Sequence, residues 1–138
     1  MDGYKELKFF KAADGNDGAL LVIEKLENLP FPIKRIYYIC GAPRGLVRGK
    51  HAHRKLQRVL FCPSGSCDFT LDDGRERVTI HVSGNNHGIY IYGPLWLEFT
   101  NFSPDCVVMS LASEEYDEAD YIRDYDEFLQ FVGLRGRE

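Results

Sequence analysis

The sequence lacks the features that would assign it to a membrane or to nucleic acid. No stretch approaches the roughly 18 consecutive apolar residues of a transmembrane helix, and residues 1–11 lack the basic head and apolar run of a secretory signal. Basic residues do not dominate, because 17 Lys and Arg stand against 21 Asp and Glu. We therefore expect a cytoplasmic protein that binds neither membrane nor nucleic acid.

The four cysteines form no C-x-x-C pair, the spacing typical of many redox and zinc sites. Each of them stands in an apolar, strand-like stretch. In a cytosolic protein such cysteines stay reduced. We predict that they are reduced core residues with no metal or redox role, namely Cys40, Cys62, Cys67 and Cys106.

Helical periodicity is absent over most of the chain. Short runs of β-branched, aromatic and aliphatic residues alternate with turn formers, and "DDG" at 72–74 is a strong hairpin signal because Gly74 readily adopts a positive φ. Closely spaced strands without helices between them predict an all-β fold of antiparallel strands, either a sandwich or a barrel. The predicted strands are 19–24, 34–40, 57–63, 67–71, 77–82, 88–92, 96–101 and 106–111.

A single short helix is predicted at the C-terminus. Asp124 and Glu127 resemble a capping box, and Gly133 is placed to end the helix. We expect this helix to cover one end of the fold. With 138 residues, no repeat and no linker, the chain 1–138 is predicted to be one domain, and its tail within 131–138 is predicted to be disordered. The apolar face of the helix comprises Tyr125, Phe128, Leu129 and Val132.

Two histidines one residue apart, His51 and His53 in "RGKHAHRKLQR" (48–58), are the main chemical signal. In a strand they project from the same face, which suits a metal. Metal-binding cupins, however, place a Glu four or five residues after the second His, and here those positions hold Gln57 and Arg58. We therefore predict no metal site.

Two other roles for the histidine pair stay open, a structural role and proton transfer. Six cations surround the pair and oppose the charged imidazolium, so at least one imidazole is expected to stay neutral near pH 7. A neutral imidazole is a general base, which favours proton transfer. The cations are Arg44, Arg48, Lys50, Arg54, Lys55 and Arg58.

The same cations suggest a nucleotide-linked substrate. Arg35, Arg48 and Lys55 alternate with aromatic residues such as Tyr37 and Tyr38, a combination suited to a diphosphate bound by cations and a base stacked on a ring. A solvated charged face would explain any one of these cations equally well.

Four motifs together resemble a known family, the dTDP-4-keto-6-deoxyglucose 3,4-ketoisomerases, which are cupin-fold enzymes of deoxyaminosugar biosynthesis. They are "IKRIYYI" (33–39), "RGKHAHRKL" (48–56), "GIYIYGPLWLEF" (88–99) and "LASEEYDEADYIRDYDEF" (111–128). The resemblance implies a metal-free, cofactor-free jelly-roll barrel. It also implies a homodimer that exchanges N-terminal strands and builds its active sites partly across the interface.

The resemblance further implies the reaction and its residues. A histidine removes the C3 proton of a dTDP-linked 4-keto sugar, and protonation at C4 gives the 3-keto sugar. His51 matches the catalytic base, and His53 matches its partner in a proton relay or in placing the sugar. The positions matched to substrate binding are Tyr37, Arg48, Lys55 and Trp96, of which Trp96 is equally well a core residue.

Three positions depart from the family pattern. Asp17 and Leu97 replace larger residues that influence how the sugar lies, so the configuration of the product at C4 stays open. Arg58 stands where Gln is usual, and it either shifts a histidine pKa or faces solvent. Two rival functions also stay open, a non-catalytic sugar-nucleotide-binding module and a metal-dependent cupin.

Overall fold

Twelve short strands account for most of the part of the chain that the structure describes. The computed structural model describes residues 1–13, 18–24, 30–84 and 86–133. One α-helix, α1 (Tyr125–Phe131), follows the last strand, and a single 3₁₀ turn spans Glu118–Asp120. The strands are β1 (Tyr4–Lys8), β2 (Phe10–Ala13), β3 (Leu20–Val22), β4 (Arg35–Cys40), β5 (Arg48–His53), β6 (Arg58–Ser64), β7 (Ser66–Asp72), β8 (Arg77–Ser83), β9 (His87–Ile91), β10 (Trp96–Thr100), β11 (Val107–Ala112) and β12 (Tyr121–Ile122).

The strands form two five-stranded antiparallel sheets and one separate hairpin. The first sheet has the order β1-β9-β6-β11-β4, the second has the order β12-β5-β10-β7-β8, and β2 pairs with β3. Alternate residues of each strand face the opposite sheet, as Cys67, Phe69 and Leu71 do on β7, and they form the main core. This is the predicted cupin-type jelly roll of antiparallel strands.

Two smaller apolar clusters lie outside the main core. One covers the outer face of the first sheet, where Phe9 and Phe31 pack over Phe61 and Tyr90. The other joins α1 to the second sheet through Phe128, Trp96 and Ala52. The helix therefore packs against the outer face of the sheet that carries the histidine pair.

The predicted strands all appear, with bounds that differ from the observed ones by a few residues at most. The "DDG" hairpin is confirmed, since Asp72 on β7 pairs with Arg77 on β8 and Gly74 has φ of +95°. The prediction missed β1, whose sequence YKELK is rich in charge, because β1 is an edge strand with one face in solvent. The strand list also missed β2, β5 and the two-residue β12.

The predicted helix is confirmed with its cap. The Asp124 carboxylate accepts a hydrogen bond from the Glu127 backbone N–H at 3.2 Å, and Gly133 follows the helix with φ of +82°. The helix ends at Phe131, and the tail residues 134–138 lie outside the described residues. Among the described residues, no helix is both long and apolar enough to cross a bilayer.

The prediction of four core cysteines is right for three of them. Cys62, Cys67 and Cys106 are buried, and their sulfur atoms lie within 4.8 Å of one another. Cys40 is exposed, so its assignment to the core is wrong. The pleat of β4 explains this outcome, because every second residue of this strand points away from the barrel interior.

Candidate active site

A local irregularity in β5 positions the histidine pair. Gly49 has φ of +84° and Lys50 has φ of +54°, and the register with β10 shifts between Leu97 and Glu98. A Cβ atom at position 49 would lie 2.7 Å from the Leu97 carbonyl oxygen, so only glycine fits. The resulting bulge turns the Gly49 carbonyl toward the ring of His51.

His51 is held in one tautomer by this carbonyl. Its Nδ1 lies 3.0 Å from the Gly49 oxygen, which can only accept, so Nδ1 carries the proton. The Nε2 atom therefore keeps a lone pair, and it accepts a hydrogen bond from the Arg58 guanidinium at 3.3 Å. The atom that can act as a base is Nε2.

His53 lies behind His51 and is bound to a buried carboxylate. Its Nδ1 donates to Asp120 Oδ2 at 3.0 Å, and the rings of the two histidines meet edge to face at 5.1 Å. The His53 ring also packs on Tyr121 at 4.3 Å. Its Nε2 is a buried acceptor that has no hydrogen-bond partner among the described residues.

Asp120 is a site residue that the sequence did not reveal. Besides His53, it accepts from the backbone N–H groups of Lys55 at 2.8 Å and Leu56 at 3.3 Å. It therefore fixes both the His53 tautomer and the chain that follows β5. The sequence signal was its place in "YDEADYIRDYDEF", within the last of the four motifs that carry the family resemblance.

Arg58 is buried in the site. Of the two alternatives that the sequence left for it, solvent exposure is wrong, because the residue is only 2% exposed. Its guanidinium donates to His51 Nε2 and, at 3.4 Å, to the Tyr37 hydroxyl.

The histidine pKa values reflect this environment. Burial, followed by the Arg58 charge, lowers the pKa of His51 to about 4. The same two causes lower the pKa of His53 as well. Burial by itself would raise the pKa of Tyr37, yet the Arg58 charge helps to lower it overall. Both imidazoles are therefore neutral at pH 7.

A cavity of about 260 Å³ opens over His51. It brings together three of the predicted residues, Tyr37, Arg48 and His51. Sequence reasoning missed two further lining residues, Tyr121 and Arg123. The remaining lining residues are Tyr38, Ile39, Gly49, Arg58 and Phe99.

Two arginines, Arg48 and Arg123, line this cavity near its mouth, and the charge of Arg123 is already paired with a carboxylate. Arg123 lies 4.2 Å over the Tyr121 ring and is paired with the Glu118 carboxylate at 2.9 and 3.0 Å. Arg48 is exposed, and within the described ranges no carboxylate lies within 4.0 Å of its charged group.

Three predicted binding residues lie elsewhere. The Arg35 guanidinium lies over the rings of Tyr37 and Tyr116, at 4.9 and 5.6 Å, and does not line the cavity. Lys55 lines a separate cleft of about 490 Å³ with mostly acidic neighbours. Trp96 is 5% exposed and packs on Phe128, which is the core position that the sequence also allowed.

The donor set around His51 and His53 does not resemble a metal site. Across the described residues, only the three buried cysteines bring three metal-ligating groups within 4.8 Å of one another. Leu97, which pairs with His51 across the sheet, is completely buried and offers no ligand.

A jelly roll that holds a neutral, oriented imidazole beside a buried arginine is typical of a cupin-fold enzyme that moves protons. The family model described as "FdtA: WxcM-like, C-terminal" matches residues 2–133, and the chain belongs to this family. The TDP-4-oxo-6-deoxy-alpha-D-glucose-3,4-oxoisomerase of Aneurinibacillus thermoaerophilus is 45% identical over 128 residues, which cover 93% of this chain and 91% of the relative.

Solved structures agree with this assignment. A 3,4-ketoisomerase from Helicobacter canadensis is 45% identical with a TM-score of 0.89, covering 94% of this chain and 96% of its own. A mutant of the 3,4-ketoisomerase QdtA from Thermoanaerobacterium thermosaccharolyticum, in complex with TDP-4-keto-6-deoxyglucose, is 39% identical with a TM-score of 0.92, covering 100% and 99%. The prediction of an isomerase is confirmed, which decides against a non-catalytic binding module.

Proposed function

We propose that the chain is a 3,4-ketoisomerase that converts dTDP-4-keto-6-deoxyglucose into a dTDP-3-keto-6-deoxyhexose for deoxyaminosugar synthesis. The observation that carries this proposal is the neutral imidazole of His51, which lines the cavity and whose unprotonated Nε2 accepts only a long hydrogen bond from Arg58. The relative from A. thermoaerophilus, which is named for the same chemistry, supports it.

The reaction needs a proton moved between neighbouring carbons. The 4-ketone acidifies the C3–H bond, and His51 Nε2 takes this proton while the C–H electrons form a C3=C4 double bond and the carbonyl pair moves to O4. The protonated His51 then returns a proton to C4. The proton of the 3-hydroxyl passes to O4, which becomes the new hydroxyl. The electron pair left on O3 forms the new C3=O bond while the C3=C4 pair takes up the proton at C4, so no oxidant is consumed. A base whose pKa lies near or below neutrality can serve both steps.

His53 assists without lining the cavity in the free enzyme. Because Asp120 holds its Nδ1 proton, its unpartnered Nε2 is the buried acceptor left for a sugar hydroxyl. Its ring also supports His51 and Tyr121 from behind.

The nucleotide and diphosphate bind at the mouth of the cavity. Arg48 and Arg123 supply positive charge for the diphosphate, and Tyr37 and Tyr121 supply aromatic faces nearby. Arg35 and Lys55 do not line the cavity, so we propose that they act on the substrate from the surface beside it.

We propose that the enzyme is a homodimer. β4 is the edge strand of the first sheet and presents Ile36 and Tyr38 to solvent, 56% and 62% exposed. Tyr38 also lines the cavity, which at about 260 Å³ is smaller than the roughly 300–1,000 Å³ of ordinary ligand sites. A second copy packed over Ile36 and Tyr38 would extend the site.

The N-terminal hairpin is the segment proposed for exchange between the two copies. Within the described residues, β2 and β3 pair only with each other and join neither five-stranded sheet.

Sedimentation should give a dimer mass for the wild type and a monomer mass for Ile36→Lys, while Phe131→Lys on the exposed helix face should leave the dimer intact. A monomeric wild type at micromolar concentration would refute the dimer.

We also propose a cytoplasmic location, since the three clustered cysteines are unbridged, as expected in a reducing compartment.

The experiment that tests the function is incubation with dTDP-4-keto-6-deoxyglucose in D₂O, followed by NMR of the sugar protons. We expect deuterium at C3 or C4 and a 3-keto product. His51→Asn should lower turnover at least about a hundredfold, the usual scale of a lost general base. His81→Asn, at an exposed histidine bonded to Asp68, is the matched control. Tight dTDP binding without exchange in the wild type would contradict the proposed function.

A further inference from the structure

Arg58 carries a buried positive charge without a matching negative one. The residue is 2% exposed and lies on β6, in the middle of the first sheet. A buried cation is costly unless an anion or several hydrogen bonds compensate it. Across the described residues, no carboxylate lies within 4.0 Å of its guanidinium.

The groups that do contact Arg58 are uncharged acceptors. Its Nη1 donates to His51 Nε2 at 3.3 Å and to the Tyr37 hydroxyl at 3.4 Å, both long hydrogen bonds. These three groups form one face of the cavity over His51. An anion that enters the cavity and reaches this face would meet an already desolvated cation.

The isomerisation produces such an anion. When the C3 proton moves to His51, the electron pair of the carbonyl becomes an oxyanion on O4, one bond away from the carbon that is reprotonated. Preorganised donors aimed at a developing oxyanion are the strongest single aid to reactions of this kind, and they act best where water is excluded.

We propose that Arg58 is a further catalytic residue, whose guanidinium binds the enediolate oxyanion on O4 between His51 and Tyr37. The proposal rests on the isomerase function proposed above. In the free enzyme the guanidinium N–H occupies the lone pair of His51 Nε2. When the substrate C3–H takes that place, the same N–H is released for the sugar oxygen.

The proposed charge also affects the base. The charged and titratable groups that face His51 are Arg58 from β6, Arg123 and Glu118 from the C-terminal segment, His53 on its own strand and Tyr121 on β12. Of these charged groups, Arg58 has the largest effect, and it lowers the pKa of His51. Removal of its charge should therefore raise the pH at which the base becomes protonated.

The test compares Arg58→Gln, which removes the charge and whose amide nitrogen ends two bonds short of the Nη1 position, with Arg58→Lys, which keeps the charge. For Arg58→Gln we expect kcat to fall about a hundredfold, the scale of one lost oxyanion donor. We also expect the acid limb of kcat/KM to move upward from about pH 4, with the Kd for dTDP unchanged within about twofold. Arg58→Lys should recover at least about tenfold of the lost kcat. Arg75→Gln, at an exposed arginine in the hairpin between β7 and β8, is the control.

Several results would overturn the proposal. A kcat within about threefold of wild type in Arg58→Gln would show that the residue is not catalytic. A parallel loss of dTDP binding would place Arg58 on the diphosphate. A loss of kcat with an unmoved acid limb and no recovery in Arg58→Lys would make its role structural. An inactive wild type would instead refute the isomerase function, so the two failures are distinguishable.

Discussion

Replacement of Asp120 by Asn should reverse the tautomer of His53. In the wild type, Asp120 accepts three hydrogen bonds, with Oδ1 bound to the Lys55 N–H at 2.8 Å and Oδ2 bound to the Leu56 N–H and His53 Nδ1. An amide has one oxygen and one NH₂ group, so it cannot satisfy all three donors. We expect its oxygen to keep the short bond to Lys55 and its NH₂ group to face His53.

The consequence for His53 follows from this orientation. The Asn NH₂ donates to Nδ1, so the proton of His53 moves to Nε2, which becomes a buried donor without a partner among the described residues. The Leu56 N–H also loses its acceptor. The loss of one charged hydrogen bond and the two unsatisfied donors, His53 Nε2–H and the Leu56 N–H, together destabilise the fold by about 4 kcal/mol. A domain of ordinary stability would remain folded at 25 °C.

Three measurements check this prediction. Nitrogen-15 NMR of the His53 ring should report the Nε2–H tautomer, urea unfolding should show the loss of stability, and kcat should fall about a hundredfold because Nε2 no longer accepts from the sugar. Asp117→Asn is the matched control, since this exposed residue caps the 3₁₀ turn through the Ala119 N–H and Asn caps equally well. An unchanged tautomer with stability within about 0.5 kcal/mol of wild type would refute the reasoning.

Three further results are expected. As the pH is lowered from neutral, the wild-type kcat/KM should stay level and then fall with an apparent pKa near 4, because the lowered pKa of His51 keeps the base neutral above that pH. A midpoint near 6.5, the ordinary pKa of histidine, would contradict this. Gly49→Ala should abolish most activity and destabilise the fold, because its Cβ would meet the Leu97 carbonyl oxygen at 2.7 Å. The control Gly41→Ala, which has open space around it, should keep its activity and lose only the stability that its positive φ costs. In a thiol-labelling assay the three buried cysteines should react only after unfolding. The labelling rate at Cys40 should report whether the dimer covers β4. Prompt labelling of all four cysteines would disprove the buried cluster.

Local sequence patterns predicted most of the fold because they depend on short-range physics. Alternating apolar residues identified strands such as β4 and β7, turn residues identified the hairpin at Gly74, and Asp124 identified the start of the helix. The same patterns missed the charged edge strand β1 and misplaced Cys40, because the outward face of an edge strand carries no signal that separates it from core.

The sequence by itself determined that His51 and His53 share a face, since this follows from their spacing along one strand. Only the tertiary structure decided that Asp120, 67 residues away, orients His53, that the Gly49 carbonyl orients His51, and that Arg58 turns inward without a carboxylate partner among the described residues. The Asp120 and Arg58 contacts join different elements of the fold, and the Gly49 contact depends on the bulge within β5. The direction in which a side chain points across a sheet depends on such register and bulges. No local pattern encodes that register, so the protonation state of the base was settled only by the packed fold.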